Sequence, residues 1–109
     1  MNVKKEGQTL VLIPGIDLVA SRIEELRDQI ATHLKTHYDI NHIILDARGI
    51  ETVDSLGVNL IIGLYREAVS EKKTMEVIHA GKNFMKIAGF FRFSSLFPVG
   101  ATDTEESRS

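Results

Sequence analysis

Short apolar runs alternate along this chain with stretches of helical period, and that alternation restricts the fold more than any other feature of the sequence. Thr9 to Ile13, Ile40 to Asp46 and Met75 to His79 are too short for ordinary helices, favour β-branched residues, and read as strands. Between them Val19, Ile23, Leu26, Ile30 and Leu34 recur at helical intervals, as do Val58, Ile61, Ile62, Tyr65 and Val69. Strands alternating with helices in this way imply parallel neighbours joined by right-handed crossovers.

The ends of the elements follow from local chemistry. Asn2 to Lys5 alternate weakly and Glu6-Gly7-Gln8 offers a turn, so an antiparallel hairpin is expected first. Ser21 stands three residues before Glu24, the spacing of a capping box, and the first helix is expected from there to about His37. A second helix should start near Ser55 and end at the charged Glu71-Lys72-Lys73. After the break at Gly81-Lys82-Asn83, residues Ile87, Phe90 and Phe91, with Phe84, are expected on the inner face of a shorter third helix. Leu96 to Val99 reads as an edge strand, and the Phe cluster, which includes Phe93 and Phe97, as core packing in a chain without Trp. The fold expected is α/β: a single small domain over residues 1–101, with an N-terminal hairpin, a mixed sheet of four to five strands and three to four helices, followed by a polar tail over 102–109.

Composition narrows what such a domain can do. At 109 residues and 43% hydrophobic content there is one core, and any function sits on one small surface. A formal charge of -2 without clustered Lys and Arg argues against a nucleic-acid partner. The lack of Cys excludes disulfides, a thiol nucleophile and Cys-ligated metal, which suits the cytoplasm. MNVKKEGQ lacks the apolar stretch of a secretory signal, and no apolar run approaches the ~20 residues of a membrane helix, so direct membrane insertion is not expected.

In doubly wound sheets the loops after the parallel strands are the usual place for a site, so those holding Asp17, Asp54-Ser55 and Gly81-Lys82 are expected to converge. The most informative stretch is Ile43 to Val58: a buried strand, a loop, then Ser55 at the mouth of a helix. A Ser there is expected to cap the first turn, with Gly57 keeping side-chain bulk away from an ordered, reachable hydroxyl. A phosphate on it would sit at the positive end of the helix dipole and place a dianion beside Asp54. Catalysis is not expected, because Ser55 has no Gly-x-Ser-x-Gly elbow and no His placed near it by sequence. No cofactor is expected either. His33 and His37 share a helix face, with His42 further on, but no acidic or Cys companion completes a metal pattern, and they read as surface histidines.

Leu45-Asp46, the turn at Gly49-Ile50, Val53-Asp54-Ser55, the variable Leu56 and then Gly57 together resemble the STAS-domain anti-sigma factor antagonists. Gly63, Tyr65 and Arg66 are similar to that family's second helix, and a looser likeness runs from the hairpin and Gly15 to Ser94-Ser95-Leu96-Phe97. The resemblance implies that Ser55 is the phosphoacceptor, and that Asp17, Asp54, Ser55, Leu56, Gly57 and Asn59 meet the partner. It implies as partner an anti-sigma factor serine kinase, which the unphosphorylated protein sequesters, and a metal-dependent serine phosphatase that restores the protein after phosphorylation. The family commonly has an Asp three positions after the Gly of the second strand, whereas here Asp17 lies two after Gly15 and Leu18 stands in the expected place. Two other outputs fit the same resemblance: a phospho-switch acting on a biofilm or signalling regulator, or a subunit of a lipid or anion transport complex in which Ser55 is only a cap.

Overall fold

A computed structural model of the chain describes residues 1–102. β1 (Asn2–Glu6) and β2 (Thr9–Ile13) pair antiparallel and turn on Gly7, whose φ of +63° suits a residue without Cβ. Then come α1 (Ala20–Thr36), β3 (His42–Asp46), α2 (Ser55–Ser70), β4 (Thr74–Ala80), α3 (Lys82–Phe90), a 3₁₀ turn (Phe93–Ser95) and β5 (Val99–Ala101). The five strands lie in chain order, β1 antiparallel to β2 and every later pair parallel. This is the α/β class expected, with the N-terminal hairpin, a mixed five-stranded sheet and three helices. Thr102 extends the ladder, its N–H donating to Ala80 O at 2.9 Å; the rest of the expected tail, 103–109, lies outside the described residues.

Each crossover steps to the next strand in the same direction, so right-handed connections stack the helices over one face of the sheet. On that face Leu10, Leu12, Ile43, Leu45, Met75 and Val77 join Ile23, Leu26, Val58, Ile61 and Phe84 in one buried cluster. The alternate strand residues point the other way. There His42 bridges to Thr74 at 2.6 Å and to Glu76 at 2.7 Å, and Ile13, Ile44 and Ile78 are only half-buried.

Four local expectations need correction. Ser21 does not cap α1: the helix begins at Ala20, Val19 is the extended residue before it, and Ser21 is already in the first turn. The inner face of α2 is Val58, Ile61, Leu64 and Ala68, so Val69 is 53% exposed, one step of helical rotation away from Ala68. In α3 the inward residues are Phe84 and Ala88, while Phe90 is 80% exposed. The helix ends there, and Arg92, at φ 56°, turns the chain so that Phe93 and Phe97 enter the core; the Phe93 ring lies 6.4 Å from Phe84 and 5.4 Å from Phe97. The last strand is Val99–Ala101 and not Leu96 to Val99, because Phe97 is used as a core residue and Pro98 has no N–H to give, its carbonyl accepting from Val77 N–H at 2.9 Å.

Candidate functional site

At the carboxyl edge of the sheet, the loop over 14–19 and the loop over 47–54 are joined side by side. Leu18 N–H donates to Thr52 O at 2.9 Å and Asp54 N–H donates to Leu18 O at 3.1 Å, a single parallel bridge between Leu18 and Val53. Asp17 locks the pair, one carboxylate oxygen accepting from Glu51 N–H at 2.8 Å and Thr52 N–H at 3.0 Å. Gly49, at φ +84°, lies against Gly15, whose Cα would stand 3.2 Å from any added Cβ.

Asp54 organises two helix starts at once. Its Oδ1 accepts from Gly57 N–H at 3.0 Å, the cap of α2, and its Oδ2 accepts from Ala20 N–H at 2.8 Å, the first residue of α1. The cap of α1 therefore comes from a residue 34 positions away, which explains why Ser21 is not needed. Gly57 is buried for a different reason from the one expected: a Cβ there would stand 2.2 Å from Leu18 O and 2.8 Å from Leu18 Cβ, so the glycine admits the Leu18 backbone to the first turn of α2.

Ser55 is the first residue of α2 and not its cap. It is exposed, and among the described residues its hydroxyl makes no side-chain hydrogen bond. Leu56, 43% exposed, and Ile16, 36% exposed, are the large apolar side chains left open in these two segments, and Asn59 is exposed one turn further along α2. Of the expected site residues, Asp17, Asp54, Ser55, Leu56 and Gly57 come together in one bonded platform. Gly81-Lys82 lies after β4 at the same edge, and among the described residues no hydrogen bond ties it to the other two loops, so the bonded platform is built from two of the three.

Two side chains at this edge, Arg48 and His79, were not singled out from sequence, and Asp46 was named only as the end of its strand. Asp46, 1% exposed, accepts from Arg48 N–H at 3.0 Å, pairs with the Arg48 guanidinium and meets His79 Nδ1 at 3.1 Å. His79 has φ 57° just before the end of β4. An Asp closing an apolar strand is a legible signal, since a buried carboxylate requires partners. His33 and His37 stack with ring centroids 6.3 Å apart on α1, and His42 is engaged elsewhere with Thr74 and Glu76.

All three anchoring carboxylates are held below the ordinary Asp range. The Glu51 and Thr52 N–H groups do this for Asp17, and those of Gly57 and Ala20 for Asp54. Burial pushes Asp46 up, and hydrogen bonds from Arg48 and His79 outweigh it. A carboxylate lowered in the folded state stabilises the fold above its unfolded pKa, and that contribution is lost as pH falls through the folded value. Stability is therefore expected to be level from neutral pH to about pH 5 and to fall below about pH 4. Urea titrations at a series of pH values check this. Asp17→Asn combined with Asp54→Asn should flatten the acid limb, and an unchanged acid slope would remove these two groups from it.

The family model described as "Mlab, STAS domain" matches residues 1–98. No curated protein sequence matches the chain. Among solved structures it is similar to TM1081 of Thermotoga maritima, assigned as an anti-sigma factor antagonist: 15% identity, TM-score 0.83, covering 97% of this chain and 90% of that one. It is similar to the anti-sigma factor antagonist SpoIIAA of Bacillus in both forms, at 21% identity. The phosphorylated form aligns over 96% of this chain and 94% of its own with a TM-score of 0.70, and the unphosphorylated form over 96% and 92% with 0.68. At such identities the likeness is one of fold. With the family match spanning residues 1–98 and the hairpin, crossovers and Asp-Ser-x-Gly loop all present, the chain belongs to the STAS domain family.

Proposed function

We propose that this chain is an anti-sigma factor antagonist working by partner switching. Unphosphorylated, it binds an anti-sigma serine kinase through the surface around Ser55; phosphorylation of Ser55 releases it, and a metal-dependent serine phosphatase returns it to the binding state. The observation that carries this reading is the contrast between Ser55 and its neighbours. Asp54 and Gly57 are consumed in building the platform and Asp17 holds the neighbouring loop through one carboxylate oxygen, while the Ser55 hydroxyl stands exposed and uncommitted at the start of α2.

A helix start receives a phosphate well, because free N–H groups and the positive dipole end face it. Leu56 and Ile16 give the same surface an apolar component that a partner can bury. The chain acts here as a substrate and ligand: both Asp54 carboxylate oxygens accept backbone N–H groups, which lowers the basicity of the carboxylate next to Ser55.

The test is phosphorylation by the cognate kinase with ATP, read by mass spectrometry. One phosphate at Ser55 is expected, and none on Ser55→Ala. Phosphate found only at Ser94 or Ser95 would overturn the assignment. Full activity of Ser55→Ala in the cell, together with co-purification with membrane transport proteins, would favour the transport-subunit role instead.

A further inference from the structure

Between α1 and α2, on the side of the domain away from the sheet's open face, runs a cleft of about 600 Å³. That volume falls in the range of small-molecule sites. Its floor is apolar, with Ile30 and Leu34 from α1, Leu60 and Leu64 from α2, and Ile43 beneath. Its α2 wall extends from Asn59 to Ala68, about 14 Å of helix, with Glu71 just past the helix end, so it is long and narrow.

Two features of the cleft have no role in the fold. Lys73 lines one end with its side chain only 10% exposed. Among the described residues its ammonium makes no hydrogen bond, and the one carboxylate within reach, Glu71, is 3.7 Å away and half exposed. A largely covered lysine whose ion-pair partner is a distant, half-exposed carboxylate has room for a closer acceptor. The second feature is Gly63, in the middle of α2 on the cleft wall. A Cβ there would meet nothing within 4 Å, so no close packing or turn requires the glycine, although glycine is disfavoured inside a helix. A larger residue at this position would stand in the cleft.

We infer that the α1–α2 cleft binds a single-chain amphiphile of the fatty-acid class, the acyl chain lying along the Leu34, Leu60 and Leu64 floor past Gly63 and the anionic head group accepting from the Lys73 ammonium. The charges agree: Arg27, Lys35 and Lys73 line the cleft against Glu67 and Glu71, and Lys73 is the least exposed of the five. An apolar cleft with a largely covered ammonium at one end favours a carboxylate-headed chain over a neutral one, because the anion supplies a closer and charged acceptor than Glu71 does.

The experiment uses the whole chain with the fluorescent fatty acid cis-parinarate, and laurate and dodecanol as competitors. Saturable binding at one site per chain is expected, with laurate competing about tenfold or more better than dodecanol. Lys73→Met should abolish that preference while dodecanol competes as before. Gly63→Leu and, from the facing helix, Ala31→Phe should each lose binding with an unchanged circular dichroism spectrum; if one of them misfolds, the other decides. Absence of saturable binding, equal competition by laurate and dodecanol on the wild type, or retention of binding by a folded cleft-filling variant would overturn the proposal. So would a wild-type dimer that Gly63→Leu converts to monomer, since the cleft would then be covered by a second copy.

Discussion

Gly57→Ala should destabilise the domain by about 3 kcal/mol or more, although alanine is the better helix former by about 0.5–1 kcal/mol. The added methyl would stand 2.2 Å from Leu18 O, a backbone atom that cannot swing aside as a side chain would. Relief requires the first turn of α2 to move outward, and that move breaks bonds that hold the two loops together. Asp54 N–H would leave Leu18 O, and the cap from Asp54 to Gly57 N–H would be strained. For a domain of this size each kcal/mol lowers Tm by roughly 4–8 °C, so a loss well above 10 °C is the expected reading. Gly63→Ala, in the same helix but with nothing within 4 Å of its new methyl, should raise Tm slightly. If the two alanine variants melted alike, close approach would not be the reason for Gly57.

The contrast between these glycines also marks where the sequence stops being informative. Strand and helix order was legible because it rests on periodicity, which is local: the Thr9, Ile40 and Met75 runs became β2, β3 and β4 within a residue or two. Features that depend on a distant element were not. Asp54 caps α1 across 34 positions, so Ser21 and Glu24 offered a capping box that the chain does not use. Gly57 looked like space for Ser55, and its actual neighbour, Leu18, lies on another loop. Phe90 and Phe91 carry the same apolar signal as Phe84, and only the end of α3 and the reversal at Arg92 decide which of them reach the core.

For the candidate site, the Asp-Ser-x-Gly spacing pointed to the loop that forms the bonded platform but blurred its division of labour. Asp54 gives both carboxylate oxygens to Gly57 and Ala20 N–H groups, while Asp17 holds Glu51 and Thr52 N–H through one oxygen, so both act first as anchors of the frame. Asp17 lies two positions after Gly15, not three, and still reaches the neighbouring loop, because its task is to hold backbone rather than to project outward. Ser55, Leu56, Asn59 and Ile16 are exposed on that frame. A frame fixed by backbone bonds gives a modification at Ser55 little to deform, and that sets the character of the proposed switch.

Phosphorylation of Ser55 should accordingly weaken binding to the partner kinase by about a hundredfold or more while leaving the fold in place. A dianion carried into an interface that buries Leu56 and Ile16 must shed its water without a matched cation, a cost of several kcal/mol. Within the domain the same charge faces free N–H groups at the start of α2 and a dipole that favours it by about 0.3–1 kcal/mol. Repulsion from Asp54, one residue away, is screened by solvent at an exposed position. Ser55→Ala should bind as well as wild type and resist the kinase, and Ser55→Asp, with a single charge, should fall between the wild type and the phosphoprotein. Calorimetric titration of the four forms against the partner measures the series. Amide NMR should show shifts confined to residues 51–59 and the joined loop over 14–19, with Tm little altered. Equal affinities across the series would remove the switch, and shifts reaching Phe84 and Phe93, or a large fall in Tm, would mean that phosphorylation acts by rearranging the core instead of by changing one surface.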